Sequence, residues 1–450
     1  MKERVAIVGA GLTGSLLACF LARRGLPVTL YERRPDPRVA QVERGRSINL
    51  AISERGLDAL RRIGLVDEVM RDALPMKGRM IHPVEGPLDF QKYSATQDRA
   101  INSISRGALN NALLDAAAAA PGVEIRFEHR LVELDSQAGS MIFATPEGKV
   151  EAQADVVLGA DGAGSAVRGQ LLAEGAVTED VDFLDYGYKE LSIPAVDGEF
   201  ALDPGALHIW PRGTSMMIAL PNPDRSFTCT LFWPTGSFDA LADAGAIEAH
   251  FRSQYPDLLP SAPSLVADYQ YNPVGVLGTV HTSPWQAHGR TALIGDAAHA
   301  IVPFYGQGAN CAFEDVVELD RCLDDTAGTW ARALPLFEHR RRENTEAIAE
   351  MALANFVEMR DKVASPVFRL GKRIEHALER ALPGHYVSRY EMVSFSTTPY
   401  AEVRTRVHRQ HQVLAATVLL GAAVLGIAAR IARASGSSTA RSSRRTRRPR

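Results

Sequence analysis

The chain begins with a β-branched apolar run at residues 4–8, passes through a glycine turn, and continues with apolar positions at helical spacing over 12–24. Gly25 and Pro27 end that stretch, and residues 28–31 form a second apolar run. Strand, turn, helix and strand in about 30 residues predict a βαβ unit, and with it a parallel sheet. Helical patterns follow at 53–63 and 106–120, while 123–134 and 141–158 alternate apolar and polar positions as strands do. Between about 180 and 280 the pattern changes to short strand-like runs at 205–210, 215–220 and 227–233, broken by Pro and Gly. These predict a mostly antiparallel sheet inserted into the first domain. Residues 290–325 return to strand, glycine-rich turn and helix, and 330–380 read as helical.

Near the C-terminus the pattern changes again. Residues 413–429 form a 17-residue run without a charge, followed by eight arginines and no acid in residues 430–450. A helix of that length spans about 25 Å, slightly less than a hydrocarbon core of about 30 Å. Two readings stay open: a helix packed on the body, or a membrane tether through 411–433 reinforced by arginines at anionic lipid. The Ser/Arg-rich stretch 434–450 has the composition of a disordered basic tail.

Removing that tail changes the picture of charge. The whole chain of 450 residues carries −3, so residues 1–429 carry −11. An acidic body argues against nucleic-acid binding. The cysteines Cys19, Cys229, Cys311 and Cys322 are isolated, without a disulfide framework or zinc-ligand spacing. With a strand beginning almost at the first residue, this leads to the expectation of a cytoplasmic protein with no bound metal.

The candidate chemistry lies in the turns. Gly9-Ala-Gly11-Leu12-Thr-Gly14 follows the first strand, and Glu32 stands eighteen residues after Gly14 at the end of the second. Gly9 permits the tight turn, Gly11 lets backbone approach a pyrophosphate, and Gly14 lets helix and strand pack closely. The helix N-terminus offers unpaired N–H groups to phosphate, and Glu32 can accept hydrogen bonds from a ribose diol while repelling a 2′-phosphate. This is a Rossmann-type dinucleotide site suited to FAD or NAD.

Two further motifs separate those cofactors. The segment 155–168, containing Asp161-Gly162, and the segment 291–299, containing Gly295-Asp296, resemble the Asp-Gly and Gly-Asp motifs of flavin-dependent aromatic hydroxylases. Pro303-Phe304-Tyr305-Gly306-Gln307-Gly308-Ala309-Asn310 then opens another helix, whose N–H groups can face a reduced flavin ring. No second Gly-x-Gly-x-x-Gly is present to give a nicotinamide donor its own domain.

The intervening segments narrow the resemblance. Gly45-Arg46-Ser47-Ile48-Asn49-Leu50-Ala51, Ser105-Arg106-Gly107, the Arg79/Tyr93 spacing of fourteen residues, the segment 355–361 and Tyr390 are together similar to the kynurenine 3-monooxygenases, over about residues 4–402. That resemblance implies FAD held tightly, NADPH and O₂ as transient co-substrates, and hydroxylation of L-kynurenine to 3-hydroxy-L-kynurenine in tryptophan catabolism. It places Arg79, Tyr93, Asn355, Tyr390 and Phe304 on the substrate. It places Gly9, Gly11, Leu12, Gly14, Glu32, Arg33, Ala51, Arg106, Leu131, Asp161, Asp296, Gly308, Ala309 and Asn310 on the cofactor. No side chain is implied as nucleophile or metal ligand, the oxygen transfer being carried by reduced flavin and O₂. His299 is read equally well as structural or catalytic, and Trp210, Met216, Met217 and Phe232 as pocket wall or core. Tyr305 departs from the usual Phe or His, and the arginine tail matches no part of the family.

The expected architecture is α/β. It has a discontinuous Rossmann-type FAD-binding domain (1–75, 100–175, 281–325), a substrate-domain sheet (76–99, 176–280) and a C-terminal helical region (326–410). Two other activities fit the motifs less fully. One is hydroxylation of another aromatic acid, and the other is a flavin reductase or epoxidase acting on membrane lipid. The second predicts a pocket without a carboxylate clamp.

Overall fold

The computed structural model describes residues 2–39, 49–94, 99–241, 243–363, 365–417 and 427. Contacts divide the chain into two units, Met1–Ala401 and Glu402–Arg450. Of the second, 402–417 is helical.

The first unit begins as its hydrophobic pattern predicts. Val5–Val8, Leu12–Arg23 and Val28–Tyr31 form strand, helix and strand, with the two strands parallel in the register Val5↔Val28. They centre a six-stranded sheet that continues through Val156–Gly159 and Thr291–Leu293 on one side and Val123–Arg126 on the other. Those pairings are parallel, and the two-residue strand Gln286–Ala287 closes the edge in antiparallel sense. All four residues of Val5–Val8 and of Val156–Gly159 are buried, as expected for central strands covered on both faces. The alternating stretch 123–134 is two strands rather than one, Val123–Arg126 and Arg130–Asp135, because Glu128 turns the chain with a positive φ of 58°. The stretch 141–158 is likewise divided, into Ser140–Thr145, Gly148–Gln153 and Val156–Gly159.

A second sheet has seven strands in the order Gly275–Ser283, Thr178–Ile193, Phe227–Pro234, Met216–Pro221, Ala206–Pro211, Gly78–Ile81 and Asp89–Lys92. All its pairings are antiparallel except Ala206–Pro211 with Gly78–Ile81. Its two faces have different partners. Trp210, Met217 and Leu231 share one face and pack under the helices Thr235–Asp239, Ala244–Gln254 and Leu265–Tyr271. Leu207, Ile218 and Leu220 share the other, against Met76, Tyr93, Ile101, Tyr390 and Phe395. The four residues read together as wall or core therefore separate by strand alternation. Met216 pairs with Phe232, whose ring meets that of Phe304 at 5.0 Å, while Trp210 and Met217 belong to the helix-covered core.

The long helix Trp330–Val357 passes into a π-helical turn, Glu358–Lys362, then into Pro366–Ala381 and Arg389–Phe395. Among the described residues no helix is long and apolar enough to cross a membrane. The stretch 434–450 and nearly all of 418–433 lie outside the described residues.

Candidate functional site

On the nucleotide side, the turn after Val5–Val8 has the stereochemistry its glycines require. Gly9 has φ 103°, and a Cβ there would lie 2.6 Å from the Ala160 carbonyl oxygen. A Cβ on Gly14 would collide with the Gly9 carbonyl. At Gly11 no atom lies within 4 Å of where a side chain would start, and no side chain caps the helix Leu12–Arg23. Its first-turn N–H groups are therefore left without a side-chain acceptor. Glu32 accepts hydrogen bonds from the Ala10 amide at 2.9 Å and the Arg34 amide at 3.0 Å, which ties the end of the second strand to the glycine loop. Each of its carboxylate oxygens keeps a lone pair for a diol.

The second glycine loop places Asp296. Gly295 has φ 63° and precedes the short helix Asp296–His299. Burial pushes the Asp296 carboxyl up, opposed by His299 and Arg106, and no described residue donates a hydrogen bond to it. Asp315, buried, accepts the Gly295 amide at 3.0 Å, His299 Nε2–H at 2.6 Å and Arg341 Nε–H at 2.7 Å. His299 is thereby tied to Asp315. The helix Gly308–Asp325 again begins without a side-chain cap, so the Gly308 and Ala309 amides are unpaired by side chains. Asn310 donates to the Ala51 carbonyl at 2.8 Å and accepts from the Ser53 amide at 3.0 Å, latching that helix to the strand Asn49–Ile52.

Two uncapped helix N-termini, a bidentate acid at a strand end and a half-buried carboxylate without a donor fit FAD. Phosphates call for N–H groups, and ribose or ribitol hydroxyls call for free carboxylate lone pairs. The remaining cofactor expectations divide. Leu131 is buried, whereas Arg33 and Arg106 are exposed side chains. The Asp161 carboxylate is taken up by its own turn, accepting Ser165 Oγ–H at 2.5 Å and the Ala166 amide at 2.6 Å. Gly45, Arg46, Ser47 and Ile48 lie outside the described residues.

The substrate-side residues come together around Arg79. Its guanidinium is buried on the strand Gly78–Ile81, 5.1 Å from the Tyr390 ring and 5.8 Å from the Tyr93 ring. Those rings stack at 4.6 Å, and Tyr305 stacks on Tyr390 at 5.9 Å. Burial pushes the Tyr305 hydroxyl up to about 12, so it remains a neutral donor. Arg79 donates from Nη1 to Glu358 at 3.2 Å and from Nη2 to Asn355 Oδ1 at 3.4 Å. Asn355 in turn donates to the Phe304 carbonyl at 2.7 Å, so both ends of its amide are engaged and it braces Arg79. The Phe304 ring stacks on Phe356 at 4.0 Å. Segment 303–310 thus runs from this cluster to the uncapped helix at Gly308, joining the two halves of the site.

Two donors in the cluster are left over. Arg79 Nε and the Tyr93 hydroxyl are both buried without a hydrogen-bond partner. Orphaned buried donors are costly, each by about 1–3 kcal/mol, unless a ligand satisfies them. A carboxylate is the kind of acceptor that both lack.

The chain matches the FAD binding domain family over residues 2–352. It is 50% identical over 406 residues to a kynurenine 3-monooxygenase from Myxococcus xanthus, covering 89% of this chain and 87% of that one. It is 48% identical to the Stenotrophomonas maltophilia protein of that name (92% of each chain) and 41% identical to the Dictyostelium discoideum one (89% and 90%). The chain belongs to the kynurenine 3-monooxygenase family.

Solved structures show the fold that the family shares with more distant proteins. A 2-methyl-3-hydroxypyridine-5-carboxylic acid oxygenase superposes with a TM-score of 0.67 at 22% identity, covering 83% of this chain and 96% of its own. A p-nitrophenol 4-monooxygenase from Pseudomonas putida superposes at 0.65 and 22% identity, covering 84% and 94%.

Four further charged residues, Glu358, Arg389, Asp315 and Arg341, support the site without being among the residues expected to bind substrate or cofactor. Glu358 is the counter-ion of Arg79 and also accepts from Arg389 at 3.2 Å. Its helical signal was present, since it follows Asn355 by three positions and shares its face. Asp315 and Arg341 brace the second glycine loop, and the available sign was an acid set among apolar residues of one helix.

Proposed function

We infer that this chain is an FAD-dependent monooxygenase that uses NADPH and O₂ to hydroxylate L-kynurenine to 3-hydroxy-L-kynurenine. The observation that carries the substrate is the orphaned pair, Arg79 Nε and Tyr93 OH, in a buried, aromatic-walled cluster. Kynurenine presents a carboxylate to such donors and an aniline ring to the aromatic wall. A reductase or epoxidase acting on membrane lipid has no use for a buried guanidinium with unfilled donors.

When bound, FAD supplies hydride acceptance from NADPH and activation of O₂ for transfer to an electron-rich ring. The protein's part is binding, orientation and exclusion of water. Arg79 and Tyr93 fix one end of the substrate by a charge-assisted, buried contact. Asn355 and Glu358 hold the guanidinium at that angle. Phe304, Phe356 and Phe232 provide an apolar wall that keeps water from the reacting ring. The amino group of the aniline already activates the ring position beside it, so no side-chain acid or base is needed.

The test is NADPH consumption by the flavin-loaded protein with and without L-kynurenine, with the product identified by mass. Stimulated consumption with 3-hydroxykynurenine formed supports the reading. Stimulation that yields only hydrogen peroxide makes kynurenine an effector and another aromatic acid the substrate.

A further inference from the structure

Glu358 occupies an unusual position for a residue that only balances charge. It is the first residue of the π-helical turn Glu358–Lys362, a rare geometry that recurs at functional sites. Its side chain is largely buried, and its two oxygens face different cations, Arg79 at 3.2 Å and Arg389 at 3.2 Å. Each oxygen keeps a second lone pair. Arg79 is used on its Nη1 and Nη2 atoms and free on Nε, so a substrate carboxylate on Nε and Tyr93 leaves Glu358 on the same guanidinium. Two carboxylates then flank one guanidinium, and Glu358, whose second oxygen is held by Arg389, keeps lone pairs that a compact cation with several N–H donors can fill.

An α-amino acid carries such a cation on the carbon next to its carboxylate. We propose that Glu358 receives the α-ammonium group of the substrate and makes the site selective for α-amino acids over aromatic acids that lack it. This rests on the kynurenine reading and extends it from the carboxylate to the second charge of the zwitterion. Among the described residues Glu358 is the carboxylate in contact with Arg79. Held below the ordinary carboxylate range by Arg79, Lys372 and Arg389 despite its burial, it stays ionised at neutral pH.

The test uses the flavin-loaded enzyme with two compounds, L-kynurenine and its des-amino analogue 4-(2-aminophenyl)-4-oxobutanoate. For each, binding is titrated on the flavin absorbance and kcat/KM is measured. Wild type should prefer the amino acid by about 10- to 100-fold, the range of one charge-assisted hydrogen bond. Glu358→Gln should bring the two compounds to within about threefold, because both lose some affinity as the brace on Arg79 loosens and the amino acid loses the ammonium contact as well. A variant that keeps the wild-type preference overturns the assignment and places the ammonium on the tyrosine rings. Equal losses for both compounds also overturn it, because a merely structural residue acts on both alike. Should Glu358→Gln fail to fold or to retain FAD, Glu358→Asp keeps the charge and shortens its reach, and the preference should fall several-fold; an unchanged ratio counts against the assignment. Wild type that binds kynurenine tightly without hydroxylating it defeats the kynurenine reading, whereas wild type that binds both compounds equally defeats the role of Glu358.

Discussion

The Asp315 carboxylate accepts the backbone N–H of Gly295 at 3.0 Å, inside a helix that starts thirteen residues later in the chain. Gly295 is the turn residue that aims Asp296, so a fully buried anion fixes the backbone on which the candidate flavin-binding carboxylate stands. His299 and Arg341 hold that anion in place.

Removing the anion should loosen both the fold and the cofactor. Asp315→Ala leaves Arg341 and His299 facing a buried gap, and breaking a buried pair costs about 3–5 kcal/mol. The variant should melt at a clearly lower temperature and release FAD on dilution, followed by free-flavin fluorescence. Asp296→Ala should weaken FAD retention with little loss of stability, because Asp296 takes no hydrogen bond from the described residues. A fully yellow Asp296→Ala protein after dialysis would count against its contact with the flavin.

Arg79→Ala should raise the KM for kynurenine by at least about 30-fold, the equivalent of about 2 kcal/mol from a lost buried charge partner. FAD should stay bound. Steady-state kinetics with an unchanged KM would remove the carboxylate role from Arg79.

Tyr93→Phe separates binding from folding. Its hydroxyl makes no well-formed hydrogen bond in the structure and meets the Tyr390 and Arg79 side chains only loosely, so the fold loses little with it. Melting temperature should be unchanged or slightly higher, while KM rises about 5- to 10-fold, as for one lost hydrogen bond. A variant destabilised without a change in KM would show that the hydroxyl serves the fold.

A pH effect on stability is expected behind the substrate sheet. His208 is buried and donates from Nε2 to the Asp203 carbonyl at 2.9 Å, while its Nδ1 meets His82 Nε2 at 2.8 Å, with Asp257 beyond His82. Burial pushes its pKa down to about 4 from 6.5. The folded state therefore keeps His208 neutral where the unfolded chain takes a proton. Its contribution is complete above about 6.5 and is lost as pH falls towards 4, with an upper bound of about 3 kcal/mol. Urea midpoints measured across that window should fall with pH in the wild type and less steeply in His208→Gln.

Features that depend on local backbone geometry were legible in the sequence. The strand Val28–Tyr31 and the helix Leu12–Arg23 stand almost where their apolar runs and glycine stops put them, because Gly9 and Gly14 answer steric demands within a few residues. Features that depend on distant pairing were not. Arg79 and Glu358 are 279 positions apart, and neither carries a local mark of the other. The long strand Thr178–Ile193 bears a bulge between Phe183 and Gly187 that interrupts its alternation, and the helices over 235–271 are too short to show a strong period. Trp210 and Met217 read like Met216 and Phe232 by composition, and only strand pairing tells which of them faces the site.

The central claim is that one oxygen atom of O₂ enters the kynurenine ring while NADPH is consumed. The most direct test supplies isotopically heavy dioxygen to the flavin-loaded enzyme with NADPH and L-kynurenine, and weighs the product. The account predicts 3-hydroxykynurenine carrying one heavy oxygen, formed in step with the NADPH oxidised. An unlabelled product, or NADPH oxidation balanced entirely by heavy hydrogen peroxide with kynurenine recovered intact, would contradict it.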